Sequence, residues 1–298
     1  MDIVVFGAGS LGSLIGGLLA RTHDVTLVGR ADHVHRVCED GLRITGLVTD
    51  HITPNATTDG TGLQADLALV TVKSFDTEAA ARTLKTGSFD IVCSLQNGMG
   101  NEAALSQSGS AVLAGTATYG ARLERPGTVA CTGLGEVAIG APDGGPSPAA
   151  MRVGDAFGGA GLNVTVQTDM PQRLWKKLAI NAGINPVTAL AEIENGGVLE
   201  ASAATLARAA TRETARVARA EGVSLSDRAA VSAMEAVAET TAENTSSMAQ
   251  DRQRGRQTEI EALNGFVVDR AATHGLAVPT NRTLTGLIRA WEHGNGLR

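Results

Sequence analysis

Short apolar runs recur through the first half of the chain, separated by glycine and polar turns. Residues 3–6, 25–28, 67–72, 91–95 and 112–117 are rich in Val, Ile and Leu and predict strands. Between the first two lies an apolar helical stretch, 11–20, and 77–84 and 102–105 are further helical candidates. Strands that alternate with helices predict a parallel sheet covered on both faces. Later runs at 128–131, 136–139 and 164–167 read as more antiparallel strands, and 141–148 (APDGGPSP) as a surface turn.

The pattern changes after Asp169. From Arg173 onward Ala, Leu, Glu and Arg dominate, and 198–221 and 227–241 have the spacing of long amphipathic helices. Gly222 and Gly275 are placed as helix stops, and 284–292 predicts a last short helix after Pro279. No repeat at a fixed period is present. The expected fold class is α/β, with an N-terminal Rossmann-type dinucleotide-binding domain over 1–168 and a C-terminal all-helical domain over 169–298.

Composition narrows the partners. With 298 residues the chain is long enough for two domains. A net charge of −6 disfavours nucleic acid, and two Trp, one Tyr and five Phe leave few base-stacking platforms. No apolar run reaches the roughly 20 residues that span a bilayer, and MDIVVFGAGS lacks a basic leader. The expectation is a cytoplasmic protein with no membrane partner. Cys38, Cys93 and Cys131 have no metal-ligand spacing, so no metal is expected and buried free thiols are the simplest reading.

The strongest local signal is Gly7-Ala8-Gly9-Ser10-Leu11-Gly12, which follows an apolar strand and opens an apolar helix. Gly7 allows a tight turn, Gly9 lets backbone approach a pyrophosphate, and Gly12 lets helix and strand pack closely. The second strand ends in Val28-Gly29-Arg30, where an NAD site would carry an acid for the ribose 2′-hydroxyl. A guanidinium there suits a 2′-phosphate, so NADP(H) is the expected cofactor; the alternative is a solvated surface arginine. Lys73 and Asn97 follow two further strands, at the carboxyl ends where open α/β sheets bind ligands. Either alone would be an ordinary turn residue.

In the second half, Lys177, Asn181 and Asn185 recur at every fourth position and form one polar stripe on a helix. The neighbours are Leu, Ile, Ala and Trp, so the helix reads as largely buried, and Pro186 is expected to distort it near Asn185. Ser247 and Glu259 stand twelve residues apart. A straight helix would separate them by about 18 Å. They share a small-molecule site only if the chain bends between them, with Gly255 the candidate bend. Read alone, Ser247 would be a capping or surface hydroxyl.

These segments resemble the ketopantoate reductases (2-dehydropantoate 2-reductases) over nearly the whole chain. The resemblance rests on GAGSLG at 7–12, VTVK at 70–73, QNGMGNE at 96–102, WKKLAINAGINPVTAL at 175–190, AENTSSM at 242–248 and TEIEALNGF at 258–266. It implies a Rossmann domain, a helical domain and an active site between them. It also implies NADPH-dependent reduction of 2-dehydropantoate to (R)-pantoate, on the route to pantothenate and coenzyme A. Carried across, Lys177 is the catalytic lysine, and Glu259, Asn181, Asn185 and Ser247 match substrate-binding positions, with Glu259 also beside the reacting centre. Asn97 and Lys73 match positions near nicotinamide and substrate. Lys176 takes no role, and Asp76 departs from the neutral residue usual in the family. Three other readings stay open: a reductase of another branched 2-keto acid, a non-catalytic NADPH-binding regulatory module, and a hydroxyacid dehydrogenase of similar plan. A homodimer is possible.

Overall fold

The apolar run at the start of the chain is β1 (Asp2–Phe6), and its side chains alternate between two helical layers. Ile3 and Val5 join one core cluster with Leu14, Ile15 and Leu18, while Val4 and Phe6 join another with Ala80, Leu84 and Phe89. Burial on both faces is what a central parallel strand requires. The computed structural model describes residues 1–298, in two units: Met1–Gln96 with Asn101–Met170, and Asn97–Gly100 with Pro171–Arg298.

The first unit continues through α1 (Ser10–Leu19), β2 (Asp24–Val28), α2 (Ala31–Asp40), β3 (Leu42–Gly46), β4 (Asp50–Ile52), β5 (Asn55–Thr57) and β6 (Gln64–Val70). It then runs through α3 (Thr77–Leu84), β7 (Ser88–Ser94), α4 (Asn101–Leu105), β8 (Ala111–Ala117), β9 (Gly120–Arg125), β10 (Thr128–Gly133), β11 (Val137–Gly140), α5 (Pro148–Gly159) and β12 (Val164–Val166). An eight-stranded sheet has the order β12-β11-β8-β7-β6-β1-β2-β5. The order reverses at β1, which lies parallel between β2 and β6, and such a switch point is where open α/β sheets bind ligands. β11 pairs antiparallel with β8, yet β12 is parallel to β11, so the expected antiparallel character of the late strands holds only in part.

A second sheet, β4-β3-β10-β9, covers the far side of α1. Two adjacent glycines allow this sandwich. A Cβ on Gly16 would stand 2.7 Å from Leu27 of β2, and one on Gly17 would stand 2.8 Å from Leu42 of β3. α5 begins inside the supposed surface turn, where Ser147 caps it by accepting from the Ala150 amide and Pro148 fills its first position. Cys93 and Cys131 are buried, and burial with the nearby Glu102 charge pushes the Cys93 thiol up to about 12. Cys38 is exposed, on the polar face of α2, and corrects the expectation that all three thiols are internal.

The second unit is helical: α6 (Met170–Ala191), α7 (Ala201–Ala220), α8 (Asp227–Thr240), α9 (Ser247–Gln253), a π turn (Glu261–Gly265), α10 (Phe266–Thr273) and α11 (Pro279–Gly294). Pro186 does not end α6, which runs on to Ala191. α7 lies so close to α6 that a Cβ on Gly183 would meet Thr211 Oγ1 at 2.4 Å and the Ala207 carbonyl at 3.0 Å. Gly222 and Gly275 follow their helices with φ of +82° and +65°, the left-handed geometry that ends a helix. α11 is longer than predicted, with Pro279 in its first turn. No helix is long and apolar enough to cross a membrane.

Candidate active site

At the end of β1 the chain turns through Gly7, whose φ is +104°. A side chain would be strained there and would also strike the Val72 amide, 2.6 Å from the Cβ position. The Gly7 and Ala8 amides both donate to the Val28 carbonyl, tying the turn to the end of β2. Thr71, just past β6, donates its hydroxyl to the Gly7 carbonyl at 2.9 Å. A Cβ on Gly12 would meet that carbonyl at 2.3 Å and Thr71 Oγ1 at 2.4 Å. A Cβ on Gly9, by contrast, would find no atom nearer than 3.9 Å. Gly7 and Gly12 are therefore glycines because protein fills the space, and Gly9 leaves space open at the head of α1.

No side chain caps α1, and its first helical bond is Ser13 N–H to the Gly9 carbonyl, so the Ser10, Leu11 and Gly12 amides remain for an anion. Ser10 Oγ accepts from the Leu123 amide, which fixes it against β9, and Leu11 packs on the core. Arg30 caps α2 immediately after β2, exposed. A Cβ on its neighbour Gly29 would lie 2.9 Å from the Ala8 Cβ, so Arg30 stands at the edge of the glycine turn. Lys73 begins the short turn Ser74–Asp76 that leaves β6, and Asp76 is exposed on it. These residues fit a dinucleotide: bare backbone and helix amides for the pyrophosphate, with a cation beyond β2.

The helical unit holds the other constellation. Lys177, Asn181 and Asn185 share a face of α6; the first two are half-buried and Asn185 is 6% exposed. Neither asparagine side chain has a hydrogen-bond partner within the chain. Their carboxamides present donors and acceptors along one helix face, chemistry that suits a polar ligand. Glu259 is likewise 6% exposed, and Asn97 Nδ2 donates to its Oε2 at 3.5 Å. Asn97 thus belongs with the helical elements: Met99 N–H donates to the Ala262 carbonyl, and a Cβ on Gly98 would meet Ala262 at 2.5 Å. Asn97 follows β7 in the chain, and its side chain meets Glu259 of the helical unit.

Burial pulls the Lys177 ammonium down to about 8, the Glu259 carboxylate opposes that fall, and the Arg173 charge adds to it. An amine in that range can give up a proton near neutral pH. Ser247 is the exposed first residue of α9, while its neighbour Ser246 is the cap, accepting from the Ala249 amide and bonded to Thr188 Oγ1 at 2.7 Å. α9 stops at Gln253 and Gly255 turns with φ of +59°, so Ser247 and Glu259 do sit on separate elements.

Two supporting residues escaped sequence reasoning. Gln96 Nε2 donates to the Val72 carbonyl and to Thr77 Oγ1, anchoring the segment that carries Lys73. Glu292, fully buried, accepts from the backbone and hydroxyl of Thr258, at 2.8 and 2.6 Å, and so holds the residue before Glu259. Nothing local to either residue signals these partners, which lie 24 and 19 positions from Gln96 and 34 from Glu292.

Comparison with known proteins assigns the family. The profile described as ketopantoate reductase PanE/ApbA matches residues 3–144, and its C-terminal companion matches 169–292. A 2-dehydropantoate 2-reductase from Halobacterium salinarum is 44% identical over 97% of this chain and 98% of that protein. The chain belongs to the ketopantoate reductase family. Another 2-dehydropantoate 2-reductase, from Archaeoglobus fulgidus, is 38% identical over 98% of both chains. Among solved structures, a PanE/ApbA family ketopantoate reductase from Ralstonia eutropha superposes with a TM-score of 0.91 at 34% identity, over 99% of this chain and all of that one. A D-mandelate dehydrogenase crystallised with NADH and anilino(oxo)acetate superposes with a TM-score of 0.93 at 25% identity, over the full length of both. The ketopantoate reductases are oxidoreductases with a Rossmann-type unit and a helical unit, as in this chain.

Proposed function

We propose that this reductase converts 2-dehydropantoate to (R)-pantoate with NADPH. The observation that carries the reading is the helical-unit constellation: a lysine held near 8, a buried carboxylate, and two partnerless asparagines on one helix face. Full-length relatives named for this reaction supply the substrate. When bound, NADPH would supply the hydride that reduces the 2-keto carbon. Negative charge then grows on the carbonyl oxygen, and Lys177 stabilises it and delivers the proton. Glu259 keeps Lys177 charged until that step, and Asn97 steadies Glu259. Asn181, Asn185 and Ser247 offer hydrogen bonds to the carboxylate and hydroxyl of the keto acid. Gly7, Ala8, Gly9, Ser10, Leu11 and Gly12 would hold the pyrophosphate, Lys73 would contribute near the nicotinamide, and Arg30 would select NADP(H) by its charge at the end of β2.

The likeness to D-mandelate dehydrogenase, a protein seen with NADH, favours a second reading: an aromatic 2-keto acid and the unphosphorylated cofactor. Steady-state assays with 2-dehydropantoate and an aromatic 2-keto acid, each with NADPH and NADH, separate the two. The proposal expects the highest kcat/KM for 2-dehydropantoate with NADPH. A preference for the aromatic acid would overturn the substrate, and a preference for NADH would overturn the cofactor.

A further inference from the structure

An α-helix gives each carbonyl a partner in the amide four residues on. Pro186 has no amide hydrogen, so α6 cannot serve the Ala182 carbonyl from within. That carbonyl belongs to a buried residue in the turn between Asn181 and Asn185, where an unmet acceptor is costly. Asn264 takes the place of the missing donor: its Nδ2 lies 3.0 Å from the Ala182 oxygen. The same nitrogen donates to Asn281 Oδ1 at 2.9 Å. Asn281 in turn donates from its own Nδ2 to the Ala210 carbonyl at 3.1 Å and to Glu213 Oε2 at 2.8 Å. A carbonyl and a carboxylate at the end of the chain can only accept, so the direction of every amide in it is fixed. Asn264 and Asn281 are both fully buried.

Asn264 sits in the π turn that follows Glu259, a turn closed by the Gly265 amide donating to the Ile260 carbonyl at 2.9 Å. Single π turns inside helical segments recur at functional sites. Here the turn ties the segment of Glu259 to the α6 turn bearing Asn181 and Asn185, one helical turn beyond Lys177. We infer that Asn264 is a positioning residue: it supplies the hydrogen bond that Pro186 withholds from Ala182 and thereby fixes the α6 stripe against the Glu259 segment. The inference rests on the proposed reading for the roles of the residues positioned, whereas the tether itself rests on geometry alone.

A double-mutant cycle tests it. Asn264→Ala should lower Tm by several degrees, lower kcat for 2-dehydropantoate about 10-fold and raise its KM, with the Kd for NADPH unchanged. Pro186→Ala restores a backbone donor to Ala182, so in that background Asn264→Ala should cost less than half as much in both Tm and kcat. Additive Tm losses, or an unchanged kcat and KM in Asn264→Ala, would overturn the inference. Should Asn264→Ala fail to fold, a folded double variant supports the tether and an unfolded one refutes it. The unfolding cycle needs no substrate, so it still decides the tether if the unsubstituted protein leaves 2-dehydropantoate untouched, a result that counts against the reductase reading only.

Discussion

At the glycine turn the ligand-holding surface is backbone, and its shape is fixed by atoms a few ångströms away: Val72, Thr71 and the Val28 carbonyl. On α6 the surface is side chain, and its chemistry is set from distant elements: Glu259 on the segment before the π turn, Arg173 a turn upstream, and Asn264 at the unserved carbonyl. The first region works by excluding side chains, the second by tuning them. A substitution in the first should therefore act through geometry and binding, and one in the second through charge and rate.

The largest effect should come from the tuned region. Lys177→Ala is expected to lower kcat by at least about 100-fold, the low end for loss of a general acid, with the NADPH Kd preserved. A variant with near-normal kcat would break the contrast. Gly12→Ala is its counterpart: the added methyl would press on the Gly7 carbonyl, which is backbone and cannot swing away. Strain of roughly 1–3 kcal/mol is expected, read as about 10-fold or more weaker NADPH binding, with a smaller change in kcat. Gly9→Ala, where the space is open, should leave Tm unchanged and weaken NADPH alone.

Smaller effects sharpen the comparison. Arg30→Ala should raise the KM for NADPH about 10-fold, the value of one charge-assisted hydrogen bond, and leave the KM for NADH nearly unmoved. Equal changes would return Arg30 to an ordinary surface role. Ser247→Ala should raise the KM for the keto acid only a few-fold and spare Tm, because Ser246 is the residue that caps α9.

The same contrast explains what the sequence disclosed. The glycine turn, β1, α1 and β6 were legible because spacing along a short stretch dictates them. The stripe of Lys177, Asn181 and Asn185 was legible because a helix period of about 3.6 aligns fourth neighbours. The second sheet was not, since β3 and β10 pair across about eighty positions with no local sign. α2 was hidden by its charge: only Val34 and Val37 of ADHVHRVCED are buried apolar residues. α5 was hidden by the APDGGPSP run, although Ser147 and Pro148 are good start signals. Asn97 follows β7 in the chain yet donates to Glu259, and Pro186 runs on inside α6 because Asn264, far along the sequence, serves the carbonyl it frees. Those outcomes depend on partners that no window of sequence contains.

The central claim is that Lys177, held near 8 by burial against the pull of Glu259, donates the proton. The direct measurement is the pH dependence of kcat for keto acid reduction in the unsubstituted enzyme, in Glu259→Gln and in Arg173→Gln. The protonated amine is the donor, so activity should be full below the lysine pKa and fall as pH rises through about 8. Removing the Glu259 charge should move that fall to lower pH, and removing the Arg173 charge should move it to higher pH. A profile that stays flat well above 8, or a fall that neither substitution displaces, would contradict the account.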